Sequence, residues 1–134
     1  MSSKNKSIEP GETRMWSYQS ANGNLSHDGT FVVAGYSGIG DGLNNPDMEN
    51  VHNVGPIPRG LWTMSSFFDD PGGKGPIVCT LDPTADTNAF GRSGFMIHGD
   101  NASMNHTASN GCIILPHDVR QQISISGDTD LEVV

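Results

Sequence analysis

Basic residues are scarce in this chain: seven Lys and Arg stand against fifteen Asp and Glu, for a formal net charge of −8. That shortage excludes nucleic acid as a partner, which would need a basic face, and excludes adhesion to an anionic membrane surface. Long apolar runs are missing as well. No stretch approaches the roughly twenty apolar residues of a membrane-spanning helix, so no membrane insertion is expected. The opening MSSKNKSIEPGETR has no apolar core of the secretory-signal kind, and the expectation is synthesis in the cytoplasm. Cysteine is limited to Cys79 and Cys112, too few for a disulfide framework, although one Cys79–Cys112 bridge is open to an oxidising compartment. Metal-ligand spacings are absent. Cys112, His98, His106 and His117 could be gathered into a site, but there is no CxxC, HxxxH or HExxH, and neither metal nor cofactor is expected.

What the chain has in quantity is turn formers. With 17 Gly, 8 Pro and many Asn, Ser, Thr and Asp among 134 residues, it reads as short strands joined by turns in one domain. Residues 1–13 are expected as a flexible tail and 14–134 as the domain. Asn22-Gly23 and Asp28-Gly29 sit between apolar stretches and predict a three-stranded meander from Met15 to Tyr36. Residues 35–60 show little periodicity and many breakers, and a loop of that length in a compact domain is usually functional. Further strands are expected at LWTMSSFF (61–68), IVCTL (77–81) and FMIHG (95–99), with a last one at DLEVV. Pro116 suits the first turn of a helix, and Val119 and Ile123 lie on one face of it. The fold class is mainly β, sandwich-like, with one short helix after the cysteine motif.

Phe95 to Pro116, FMIHGDNASMNHTASNGCIILP, carries the chemistry-bearing residues. His98 closes one apolar run and Cys112 precedes another, so neighbouring strands can present them to each other. A cysteine nucleophile needs a base, and an imidazole at a strand end supplies one. Small residues at Ser109, Asn110 and Gly111 let backbone N–H groups approach a reacting carbonyl. The residues alone leave packing as the rival reading. Cys79, in PIVCTL, reads as a buried thiol, His106 and His117 as solvated, and Trp16 and Trp62 as core.

His-Gly, a polar loop, then Ser-x-Gly-Cys-Ile resembles the signature of L,D-transpeptidase (YkuD-like) catalytic domains. GPIPRGLWTM is similar to that family's Pro-x-Gly strand, with Pro58, Gly60 and Trp62 in place. The likeness is closer to one branch, the type VI secretion L,D-transpeptidase effectors. It runs through Trp16 and Tyr18, Gly23 and Leu25, GYSG (35–38), Asn44-Asn45-Pro46, GPIPRG (55–60), Gly91-Arg92, FMIHGD (95–100) and ASNGCIIL (108–115). Two positions depart: Asn110 stands where the wider family has His, and Ile114 where it has Arg or Asn.

The resemblance implies a mainly β, L,D-transpeptidase-like fold of mixed sheets and an antibacterial toxin that modifies peptidoglycan. Cys112 would attack the tetrapeptide stem and form a thioester, with His98 as its base. The Gly99 carbonyl would orient the imidazole, and the Gly111 and Cys112 amides would form an oxyanion hole. Water would complete an L,D-carboxypeptidase reaction; a D-amino acid or second stem would give exchange or cross-linking. Ser109 is expected to hold the cysteine turn. Arg92 is read either as a fork for a substrate carboxylate or as a surface ion pair, and Tyr36 and Ser37 either as cleft lining or as plain loop. Asn110 is expected at the substrate, and Asp100 either assists His98 or caps a turn. Implied partners are stem peptides, type VI delivery machinery and a periplasmic immunity protein, with action in the target's periplasm. A non-catalytic module that binds wall peptides and an adaptor with an incidental Cys–His pair are the alternatives.

Overall fold

Asp28 and Gly29 both adopt positive φ, 49° and 85°, the conformation of a tight hairpin turn whose twist matches that of the strands it joins. The computed structural model, which describes residues 15–134, accordingly opens on the expected meander. It comprises β1 (Trp16–Tyr18), β2 (Asn24–His27) and β3 (Thr30–Ala34), paired antiparallel in chain order. The expected 1–13 tail lies outside the described residues.

The later strands are β4 (Tyr36–Ser37), β5 (Gly60–Met64), β6 (Phe68–Asp70), β7 (Gly75–Pro83), β8 (Met96–His98), β9 (Ile113–Ile114) and β10 (Asp130–Val133). They bond in the order β3-β2-β1-β10-β5-β7-β8-β9-β4, with β6 alongside β7. The sheet is mixed: β1 runs parallel to β10 and β8 parallel to β9. Trp16 and Tyr18 at one side, Trp62 in the middle, and Ile97 and Ile113 towards the other all belong to one apolar core. The sheet therefore folds over on itself, and the nine-residue β7 pairs with both halves. Trp62 meets Phe95 edge to face, ring centroids 5.1 Å apart, and its indole N–H donates to the Pro58 carbonyl at 3.0 Å.

Three expectations need correcting. The segment 61–68 is not one strand: β5 ends at Met64, and the pairing with β7 resumes in the same direction at residues 68–70 as β6. At the break Ser65 N–H still donates to the Thr80 carbonyl, but the Thr80 N–H is accepted by the Ser65 hydroxyl in place of a backbone carbonyl. The loop 35–60 contains a two-residue strand, β4, and two 3-10 turns at Gly40–Gly42 and Pro46–Met48. No strand begins at Phe95, since β8 starts one residue later.

The helix, α1 (His117–Ser126), follows Pro116 and buries Val119, Arg120 and Ile123. Arg120 anchors it. Its guanidinium donates to the Leu115 carbonyl at 3.1 Å, to Pro76 at 2.6 Å and to Ile77 at 3.2 Å, tying the helix to the start of β7. Trp16 fastens the other end through Nε1–H to Ser126 Oγ, 3.1 Å.

Candidate active site

Parallel pairing of β8 with β9 sets Ile97 opposite Ile113 and His98 opposite Ile114. Ile97 and Ile113 are fully buried in the core. Side chains alternate along strands, so His98 faces away from that core, and Cys112, one residue before β9, shares its face as a diagonal neighbour. Both border one cavity of about 370 Å³. The His98 ring is only 4% exposed. Its Nδ1–H donates to the Gly99 carbonyl at 2.8 Å, which assigns the tautomer and turns Nε2 into a lone-pair acceptor. Nε2 is buried without a partner among the described residues.

Burial dominates the protonation of both groups. It pushes the His98 imidazole below its usual range, helped by the charges of Lys74 and Arg120 and opposed by the Gly99 hydrogen bond and Asp100. It pushes the Cys112 thiol up, opposed by a backbone bond from Met96 and by the charges of Lys74 and Arg92. Both shifts favour the neutral forms, a thiol and an uncharged imidazole, over a preformed thiolate and imidazolium. The thiol also lies 3.8 Å from the Gly94 carbonyl.

The cysteine turn is held from beneath by two serines with no solvent exposure. Ser109 Oγ donates to the Cys112 carbonyl at 2.6 Å and accepts from the N–H groups of Gly111 (3.0 Å) and Gly38 (2.9 Å). Ser37 Oγ donates to the Gly111 carbonyl at 2.8 Å and accepts from the Ile57 N–H at 2.9 Å. Gly111 has φ +135°, and a Cβ there would lie 2.6 Å from Arg92 Nη2 and 2.8 Å from the Phe95 ring. Only glycine passes both the conformational and the steric test.

This Gly-Cys turn, with its strand-end histidine, lies within residues 32–128, which match the model of the Tlde1 domain. The chain belongs to the Tlde1 domain family. That is the type VI L,D-transpeptidase effector family. No curated protein matches the chain. Among solved structures, an L,D-transpeptidase from Mycobacterium smegmatis is similar over 92% of this chain and 59% of its own, at 18% identity and a TM-score of 0.45. The chain thus spans about three-fifths of that protein's length.

Several residues expected at substrate have other partners in this Tlde1 domain. The Gly111 N–H, expected in an oxyanion hole, is taken by Ser109 Oγ. Arg92 is neither a free fork nor a surface ion pair. It is buried over the Phe95 ring, and its guanidinium donates to four backbone carbonyls: Glu49, Pro56 (2.8 Å), Gly55 (2.9 Å) and Asn110 (3.2 Å). It staples the 49–56 loop to the cysteine turn. Ser37 lies under the turn and not in the cleft. Tyr36 faces a neighbouring cavity, where its hydroxyl donates to Asp100 Oδ1 at 2.7 Å and accepts from the Ala108 N–H at 3.2 Å. Burial, chiefly, and that carboxylate push its phenol up to about 12. Asp100 accordingly pins the loop through Tyr36, and its only other hydrogen-bond partner among the described residues is the Asn101 N–H. Asn110 does border the Cys112 cavity. His106 is exposed and packs edge-on to Tyr36 at 4.8 Å. Both thiols are free.

The cavity residues that escaped the sequence reading include His52, Asn53 and Lys74. His52 and Asn53 come from the loop already suspected of function, and His52 Nε2 lies 3.0 Å from the Phe90 carbonyl. The signal for Lys74 was slight: an isolated lysine in Gly-Gly-Lys-Gly of an acidic chain.

The Arg92 clamp carries a stability prediction. Arg92→Met should strand four carbonyls and cost about 2–4 kcal/mol, read as a lower urea midpoint. Arg92→Lys should recover little, because one ammonium cannot span carbonyls contributed by two separate loops. Unchanged midpoints would show that water replaces the clamp without loss.

Proposed function

We propose that this protein is a cysteine-dependent L,D-carboxypeptidase and L,D-transpeptidase acting on the tetrapeptide stems of peptidoglycan. The observation that supports this reading is the buried, partnerless Nε2 of His98, fixed in its acceptor tautomer on a residue that borders the same cavity as Cys112. Nε2 takes the thiol proton as Sγ attacks the carbonyl of the meso-diaminopimelate–D-alanine bond. With the Gly111 N–H committed to Ser109, the Cys112 N–H is the amide of the turn that meets the oxyanion. Collapse of the tetrahedral intermediate breaks the C–N bond. The imidazolium returns its proton to the departing amine, so D-alanine leaves neutralised and a thioester remains on Cys112. Water, or the amine of a D-amino acid or second stem, then cleaves that thioester with His98 again as base.

The test is mass spectrometry of disaccharide tetrapeptides incubated with the protein, with and without a labelled D-amino acid. Loss of terminal D-alanine, or its replacement by the label, is the expected outcome. Unaltered tetrapeptide bound at micromolar affinity would identify a wall-peptide binding module instead. The same reading assigns delivery to a type VI machine, action to the periplasm of the target cell, and protection of the producer to a periplasmic immunity protein.

A further inference from the structure

Four basic side chains fall within the described residues, and three are occupied. Arg59 grips Glu49 through bonds of 2.9 and 3.1 Å, while Arg92 and Arg120 clamp backbone carbonyls. Lys74 alone, among the described residues, has neither an ion pair nor a side-chain hydrogen bond. It is also placed at the reacting groups, where the nearby Arg92 is already committed to backbone carbonyls. Lys74 borders the cavity that Cys112 lines and a second of similar size, about 370 Å³, and His98 borders both. Its charge is felt by both the thiol and the imidazole.

The position is built, not incidental. The β6–β7 hairpin that carries Lys74 is closed by Asp70, whose carboxylate accepts the Lys74 N–H at 2.9 Å, and by Asp69, which accepts the Ile77 N–H at 3.0 Å. Arg120 holds the carbonyls of Pro76 and Ile77 from the other side. Ile77 keeps φ +51°, a conformation β-branched residues resist and which persists only where surrounding contacts enforce it. Lys74 is exposed, and these bonds fix the backbone of the turn that presents it. A chain of net charge −8 repels an anionic peptide unless one cation meets it at the cleft.

We infer that the Lys74 ammonium receives a carboxylate of the bound peptide where the two cavities meet. The inference rests on the reading that stem peptides are the substrate, and it names what they must offer: a free carboxylate flanking the scissile bond. Stems in which that carboxylate is amidated are then poorer substrates.

Iodoacetate and iodoacetamide test this directly, since they alkylate the same thiol and differ in bearing a carboxylate or a neutral amide. Lys74→Met should lower the iodoacetate-to-iodoacetamide rate ratio at Cys112 by about fivefold, the upper worth of a solvent-exposed ion pair, and Lys74→Arg should restore it. The effect should fade as salt is raised. For tetrapeptide, the same variant should raise KM by a similar factor and change kcat less. The hairpin survives the substitution because the Lys74 backbone, not its side chain, bonds Asp70. An unchanged ratio in Lys74→Met overturns the inference. So does equal slowing of both reagents, which would mean that the ammonium acts on the thiolate alone. A shifted ratio in a protein that leaves tetrapeptide untouched upholds Lys74 as the carboxylate site and refutes the proposed turnover.

Discussion

Cys112→Ala is expected to abolish the release of D-alanine from tetrapeptide stems, a loss on the order of 10⁴-fold or more, as when a covalent nucleophile is removed. The fold should hardly register the change. The bond that secures the turn runs from Ser109 Oγ to the backbone carbonyl of residue 112, which alanine retains. Growth inhibition from the periplasm should vanish with turnover. Cys79→Ala is the control. Cys79 is fully buried in the core between β5 and β8, its thiol pushed up to about 12 by burial. It should resist alkylation until the protein unfolds, and its replacement should lower stability by about 1–2 kcal/mol while leaving turnover intact. Residual D-alanine release by the purified Cys112→Ala protein would end the thioester mechanism.

Removal of the imidazole in His98→Ala should slow thioester formation by a factor on the order of 10² to 10⁴, the usual worth of general acid–base help. The pH profile of Cys112 alkylation separates this role from a packing role. Burial lowers the His98 pKa, so the neutral base persists to more acidic pH than an exposed imidazole would allow. The rate should therefore rise with pH through a step below the ordinary histidine range, then again as the thiol, raised by burial, ionises. In His98→Ala the acidic step should disappear and the alkaline one remain. His106→Ala should leave both steps in place, since that ring is exposed against Tyr36. The reverse pattern would exchange the two histidines.

The elements that were legible in the sequence are those specified by local chemistry. Asp28-Gly29 announced a hairpin because few other residue pairs accept positive φ twice in succession. Leu131 and Val133 announced an alternating strand, and both are buried. His98 and Cys112 stood out because each adjoins an apolar run, and the register of two short strands brings them to one face. The missed features depend on partners remote in sequence. Arg92 could not be recognised as a clamp, because three of its four carbonyls lie some forty residues upstream. Tyr36 and Ser37 look like loop because a two-residue strand has no periodicity to read. The Gly111 N–H seemed available until Ser109 Oγ was found beneath it. Lys74 sat in a turn whose distance from Cys112 only the folded sheet abolishes.

The placement of β10 bears on the order in which the molecule can assemble. Leu131 stands in register with Trp16 on one flank and Trp62 on the other, so the strand is an interior plank of the sheet, not a trim at its edge. The turns of the β1–β3 meander are local and cheap to close, whereas its link to β5 runs only through residues 130–133, which pair between β1 and β5. Folding of this chain is thus a closing event instead of a growth from one end, with a rate limited by a contact that spans nearly the whole described chain.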